Sequence, residues 1–143
     1  MFRGVLSVLA GIAVLTAASF AIEAVVDPLL LWAFPQALPN AAALSSNLWA
    51  RTLTFAYGLA CVAAGGYAAA RIAQRLPIRH AAAMGILQAG LTIAAMLSPE
   101  GNHASRMQWI TTAILTIPAA LAGGLLYLGK KPNEGLEKAP AST

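Results

Sequence analysis

Charge and cysteine are what this sequence has least of. Charged residues make up 10% of the 143 residues and hydrophobic residues 59%, whereas roughly a quarter of a soluble domain is charged. So few charges cannot cover a water-facing surface, and the length predicts one domain. The single cysteine, Cys61, excludes a disulfide framework, a CxxC redox pair and a cysteine-rich metal site within one chain. We expect Cys61 to be a small packing residue.

Motifs for catalysis and for nucleic-acid binding are also missing. The sequence contains no nucleophilic triad, phosphate-binding glycine loop or carboxylate pair suited to hydrolysis, and it therefore predicts no enzyme and no cofactor. Glu100, Asn102 and His103 share a short polar stretch, but we expect a solvated loop there and no metal site. The net charge of +4 comes from basic residues that flank apolar runs, so nucleic acid is not an expected partner.

Long apolar runs are what the chain has in abundance. About 20 apolar residues at ~1.5 Å each cross the hydrocarbon core of a bilayer. Four runs predict membrane-spanning helices at about 4–26, 50–70, 81–97 and 107–128. The first run has a rival interpretation as a signal peptide, but it is longer than a typical signal core. The predicted fold is an all-α, antiparallel four-helix bundle over residues 1–129, followed by a disordered tail at 130–143.

Basic residues predict how the helices are threaded, because lysine and arginine favour the cytoplasmic side. With both termini inside, the basic residues on that side are Arg3, Arg71, Arg75, Arg79, Lys130, Lys131 and Lys138. Arg51 and Arg106 are left outside. We therefore expect a multi-pass protein of the inner (plasma) membrane with both termini cytoplasmic. The lipid bilayer is its first expected partner.

The stretch between the first two runs, residues 28–47, reads PLLLWAFPQALPNAAALSSN. Pro28, Pro35 and Pro39 predict a break in any long helix, yet the segment is too apolar for a solvated loop. It either lies in the outer interface, with Trp32 at headgroup depth, or caps the outer ends of the bundle. Asn40 and the group Ser45-Ser46-Asn47 offer helix starts.

Small residues at helical spacing predict close contact between helices. Gly58, Cys61, Gly65 and Ala69 form one such seam on the second span. The predicted packing glycines are Gly58, Gly65, Gly66, Gly123 and Gly124. The seam fits either a contact inside the chain or a homo-oligomer contact, and the sequence leaves both open.

Glu23 is the best candidate for a functional residue, because ionisable groups inside a membrane are costly and are usually functional or paired. With Asp27 it shares one face of the first helix. The favoured interpretation is a structural salt bridge at the outer interface with Arg51 or Arg106, in which Asp27 is near enough to Arg51 to share it. The alternative is a proton- or cation-coupling carboxylate.

Two further polar features lie within the spans. Gln88 is near the middle of the third span, where we expect it to hydrogen-bond to a neighbouring helix. Pro118 lies within the fourth span and should kink it and free a carbonyl. Thr111, Thr112 and Thr116 are candidates to satisfy such groups.

Three stretches carry a resemblance to known proteins: GGYAAARIA at 65–73, HAAAMGILQAGLTIAAM at 80–96 and IPAALAGGLL at 117–126. They resemble a group of small bacterial four-helix inner-membrane proteins. The resemblance implies a bacterial membrane location and assigns no activity. We expect an accessory or interaction subunit, with a protein partner or a homo-oligomer. The alternative is a small ion-coupled transporter or channel that uses Glu23.

Overall fold

The computed structural model describes residues 2–73, 75–98 and 106–137, and side chains within 4–73, 75–98 and 106–130. Within these ranges the chain forms five helices: α1 Phe2–Ala33, α2 Ala41–Ser46, α3 Leu48–Ala73, α4 Pro77–Leu97 and α5 Arg106–Glu137. The four longer helices are each long and apolar enough to cross a membrane. Within the described ranges the chain is all-helical, and its four long apolar helices indicate a multi-pass membrane protein, as the sequence predicts.

Helix α1 is longer than expected. It continues through Pro28 to Ala33 instead of ending at about residue 26. A proline inside a helix costs about 3 kcal/mol. Here Leu30 compensates, because it packs with Leu38 and Ala50 in a small apolar cluster that holds the last turn in place.

The remaining part of the segment, residues 34–47, folds back against the ends of α1 and α3. Leu38 is 1% exposed, and the rings of Phe34 and Trp49 meet edge to face at 5.3 Å between centroids. The predicted helix starts are confirmed, because the Asn40 side chain accepts from the Ala43 amide at α2. The Asn47 side chain accepts likewise from the Trp49 amide at α3.

Helix α5 also passes its expected end. The sequence predicts a stop near Gly129, whereas the helix runs to Glu137. A helix that is already nucleated propagates at little cost per residue, which explains why a polar end stays helical. Most of the predicted tail is therefore helical, and residues 138–143 lie outside the described ranges.

The helices meet closely at one end of the bundle, which we call the His80 end. A Cβ atom built on Gly65 would lie 2.6 Å from the Gly11 carbonyl oxygen, and one on Gly4 would lie 2.9 Å from His80 Nε2. Cβ atoms on Gly66 and Gly123 would overlap the backbones of Ala120 and Ala63. We call these contacts, together with that of Gly124 on Ala81, the glycine interface.

The glycine interface shows that the small-residue seam on α3 makes a contact inside the chain and not a homo-oligomer contact. Gly65 and Ala69 face α1 of the same chain, because Gly11 is their neighbour. Cys61, Met84 and Ala120 complete the buried core around them. This seam is internal to the bundle.

A tight turn between α3 and α4 closes the His80 end. Leu76 has φ of 53°, the left-handed conformation that a branched side chain rarely adopts. Pro77 then begins α4 with its ring at a position where no amide hydrogen is needed. The Leu76 carbonyl lies 3.1 Å from the Nδ1 atom of His80, so the basic stretch is part turn and part first helical turn.

Candidate functional site

A polar cavity of about 400 Å³ lies between α1, α3, α4 and α5, away from the glycine interface. We call this end of the bundle the Glu23 end. Glu23 and Arg51 are the charged side chains among the described residues that line the cavity. Its other polar lining residues include Ser19, Thr54, Gln88, Thr92, Thr112 and Thr116.

Two smaller cavities adjoin this one. The second, of about 320 Å³, shares Glu23 and Arg51 and adds Asp27 and the α2 residues Leu44 and Ser45. Helix α2 therefore forms a wall of the polar space, in addition to packing on α3. The third, of about 270 Å³, lies between α3 and α5 and also includes Arg51. Arg51 is common to all three cavities.

Among the described side chains, the expected ion pair between Glu23 and an arginine is not formed. Glu23, Asp27 and Arg51 line one cavity, as their shared depth predicts. Within the described ranges, however, no carboxylate lies within 4.0 Å of the Arg51 guanidinium. Arg106, the other expected partner, is exposed and lines none of the three cavities. The three charges face a shared space without direct contact.

The threonines of the cavity donate their protons elsewhere. Thr116, 1% exposed, donates to the Thr112 carbonyl at 2.7 Å, and Thr92 donates to the Gln88 carbonyl at 2.9 Å. Thr54 and Thr112 bond the carbonyl four residues earlier in the same way. Each hydroxyl oxygen therefore keeps lone pairs that can still accept a hydrogen bond, on side chains that line the cavity.

These hydrogen bonds are not the ones expected at Pro118, where the threonines were candidates to satisfy the carbonyl that the proline frees. The proline leaves the carbonyl of Ile114 without its helical donor. Thr111 donates instead to the carbonyl of Met107, and Thr116 to that of Thr112. The threonines bond their own preceding turns because a helical threonine reaches the carbonyl four residues earlier most easily.

Two further polar side chains that line the cavity form no hydrogen bond of ordinary geometry within the described part of the chain. The Tyr57 hydroxyl is buried, and the Thr54 side chain lies close to it, but no hydrogen bond of ordinary geometry joins it to any residue that the structure describes. Gln88 was expected to bond a neighbouring helix, but its side-chain amide forms no hydrogen bond within the described part of the chain. It lines the cavity from α4. Both groups remain available to whatever occupies the space.

Gly58 does not have the packing role that the sequence predicts. No heavy atom lies within 4 Å of a Cβ built there, and the residue lines the cavity. The seam therefore divides along α3. Gly65 and Gly66 bring helices together, whereas Gly58 leaves a space beside Glu23.

Most of this lining was not predicted from the sequence, although a signal for it exists. Polar side chains recur every fourth residue on two otherwise apolar helices, at Gln88 and Thr92 of α4 and at Gln108, Thr112 and Thr116 of α5. Residues four apart share a helix face, so each series predicts one polar stripe. Two stripes that face each other predict a cavity between them.

Metal binding has no support in the geometry of the described residues, where no three His, Cys, Asp or Glu side chains come together. The stretch with Glu100 and His103 lies outside those residues. Comparison of the chain with family models, with curated proteins and with solved structures found no match. The function must therefore be argued from the cavity.

Proposed function

We propose that this chain is a small ion-coupled membrane transporter in which the Glu23 carboxylate carries the coupling charge. The observation that supports this proposal is the position of Glu23, within a membrane-spanning helix and facing a polar cavity without an ion-pair partner. A carboxylate in such surroundings is costly to keep charged. Binding or release of a proton or cation at Glu23 can therefore be coupled to binding or release of a second molecule in the cavity.

The contacts between helices support the predicted threading, which we include in the proposal. Residues early in α1 lie beside the start of α4 and the end of α3, since Gly4 meets His80 and Gly11 meets Ala69. This arrangement fits helices that alternate in direction. Exposed Arg71, Arg79 and Lys130 gather at the His80 end. The positive-inside rule favours the cytoplasm for that end, and we propose the same side for both termini.

A pH jump on the reconstituted protein tests the proposal. Proteoliposomes that contain the wild-type chain are adsorbed on a solid-supported membrane, and the charge displaced by a rapid change of pH is recorded. We expect a current that falls about tenfold in Glu23→Gln, because the amide cannot exchange a proton, and that Glu23→Asp partly retains. Arg106→Gln is the matched control, since this exposed residue lies outside the cavities.

The proposal fails if Glu23→Gln displaces as much charge as the wild type while all variants unfold at similar temperatures. An equal loss in Glu23→Asp would also contradict it, because that variant keeps an exchangeable carboxylate at the same site.

The accessory-subunit interpretation remains the second candidate. It is favoured by the exposed face of α4, where Gly90 has no neighbour within 4 Å and leaves room for a helix of another protein. That interpretation requires Glu23 to be satisfied by an arginine, which the described side chains do not provide. Native mass spectrometry of the protein extracted in mild detergent separates the two candidates. A fixed stoichiometry with a larger assembly supports the subunit.

A further inference from the structure

We infer that the cavity between the four long helices binds a small zwitterion that carries one ammonium and one carboxylate group. This inference rests on the proposed function, since it names the class of cargo for the same site. It starts from the charged pair, Glu23 on α1 and Arg51 on α3.

Glu23 and Arg51 carry opposite charges and face the same cavity without contact. This arrangement determines which guest can bind between them. Inside a membrane-spanning bundle such charges attract more strongly than in water, and each needs a partner. In the main cavity a simple cation would meet Arg51 and a simple anion would meet Glu23, so each would gain one contact and suffer one repulsion. Asp27, in the adjoining cavity, adds a second carboxylate that attracts an ammonium group. A zwitterion satisfies both groups and adds no net charge to the membrane interior.

Hydrogen bonding supports an ammonium group at the α4 and α5 walls of the cavity. The hydroxyl oxygens of Thr92, Thr112 and Thr116 offer lone pairs because their protons are donated to helix carbonyls. An ammonium group has three N–H donors and no acceptor, which complements such a surface. A quaternary ammonium has no N–H and cannot make these bonds.

Tyr57 provides an independent sign that the site is incomplete in the free chain. Its hydroxyl is buried without a hydrogen-bond partner among the described residues. A buried polar group left unpaired costs about 1–3 kcal/mol. Tyr57 lies on α3 as Arg51 does, and both line the same two cavities. A guest in the cavity can therefore accept a hydrogen bond from the phenol.

The volume limits the size of the guest. A cavity of about 400 Å³ is near the lower end of small-molecule pockets. Apolar side chains such as Leu15 and Val62 complete the lining, which suits a short hydrocarbon chain between the two charged groups. Glycine, β-alanine and 4-aminobutyrate form a series in which the charge separation increases stepwise, so they measure the gap between Glu23 and Arg51.

Isothermal titration calorimetry on the full chain in mild detergent tests the inference. The three zwitterions are titrated alongside propylammonium and butyrate, which each carry one of the two charges. We expect at least one zwitterion to bind at least tenfold more tightly than either single-charge compound. The trimethylated glycine, which lacks N–H donors, should bind more weakly than glycine itself.

Two variants reverse this preference if the assignment of charges is correct. Glu23→Gln removes the ammonium partner and should favour butyrate over the zwitterion, whereas Arg51→Gln should favour propylammonium. Arg106→Gln removes an arginine outside the cavities and should leave all affinities unchanged. Thermal unfolding of each variant shows first that the bundle is intact.

Two results would overturn the inference. One is the absence of binding by all three zwitterions at about 10 mM in a protein that unfolds normally, which would indicate a cavity filled by water alone. The other is equal binding of propylammonium and the zwitterions. Both are independent of the pH-jump current, so loss of that current with zwitterion binding intact would refute transport and leave the binding site standing.

Discussion

At the His80 end the helices touch backbone to backbone, whereas at the Glu23 end the same helices separate around polar space. Helix α3 shows the change within one element. Gly65 and Gly66 lie against Gly11 and Ala120 of other helices, while Gly58, about two turns away, has no atom within 4 Å of its missing side chain.

This difference shows how a small membrane protein can hold a polar cavity. Lipid tails are as apolar as leucine, so helices in a bilayer associate through close packing and not through exclusion of water. The glycine interface concentrates that packing in one half of the bundle. The other half carries Glu23, Arg51 and Gln88 around the cavity, with the small apolar cluster of Leu30, Leu38 and Ala50 beyond them.

Addition of one methyl group to the glycine interface should give the largest effect. In Gly123→Ala the new Cβ would overlap the Ala63 backbone, which cannot turn aside as a side chain can. We expect the free energy of unfolding to fall by at least about 2 kcal/mol. Unfolding by SDS in mixed micelles, followed by circular dichroism, measures the change.

Gly90→Ala is the matched control for that variant. Gly90 is exposed on α4 with no neighbour within 4 Å, so the same methyl group should change stability by no more than about 1 kcal/mol, in the stabilising direction. Equal losses in the two variants would mean that the glycines matter for helix flexibility and not for contact.

At Gly58 an added side chain should affect function and spare the fold. Gly58→Leu places a branched side chain into the cavity beside Glu23 without contact to the glycine interface. We expect the free energy of unfolding to change by less than about 1 kcal/mol, since no neighbour is displaced. The pH-jump current and zwitterion binding should each fall about tenfold as the cavity fills.

Gly90→Leu carries the same side chain on the exposed face of α4 and should preserve both readouts. Loss of stability in Gly58→Leu as large as that in Gly123→Ala would show that the Glu23 end is packed like the other half. That outcome would remove the basis of the comparison.

The sequence predicted the helices well because span length and apolar composition are set within each segment. It predicted the ends less well. Whether α1 stops at Pro28 depends on the packing of Leu30 against Leu38 and Ala50, and no local pattern reports a contact between residues twenty positions apart. The same limit applies to Gly58, whose residue type suits contact and open space equally.

The candidate site was predicted in part for a similar reason. The depth of Glu23, Asp27 and Arg51 follows from their positions along the helices, and the structure places all three at one cavity. The distance between their charged groups depends on how far α1 and α3 separate, which the small residues of the opposite half determine. Depth was therefore predictable from the sequence, and contact was not.

A pair of hydroxyl deletions gives the smallest effect and compares the two halves directly. Ser7, fully buried on α1, donates to the Gly4 carbonyl at 2.7 Å near the glycine interface. Thr116 donates to the Thr112 carbonyl at the same distance but lines the cavity. Ser7→Ala and Thr116→Val each remove one such bond, worth about 1 kcal/mol.

We expect both variants to lose stability by about that amount, and the difference should appear in binding. Thr116→Val removes an acceptor that faces the ammonium group, so the zwitterion affinity should fall about threefold to tenfold, whereas Ser7→Ala should bind as the wild type does. Calorimetry on the two purified variants makes the comparison. If Ser7→Ala weakens binding as much as Thr116→Val, the packed half shapes the cavity, and the two halves act as one unit.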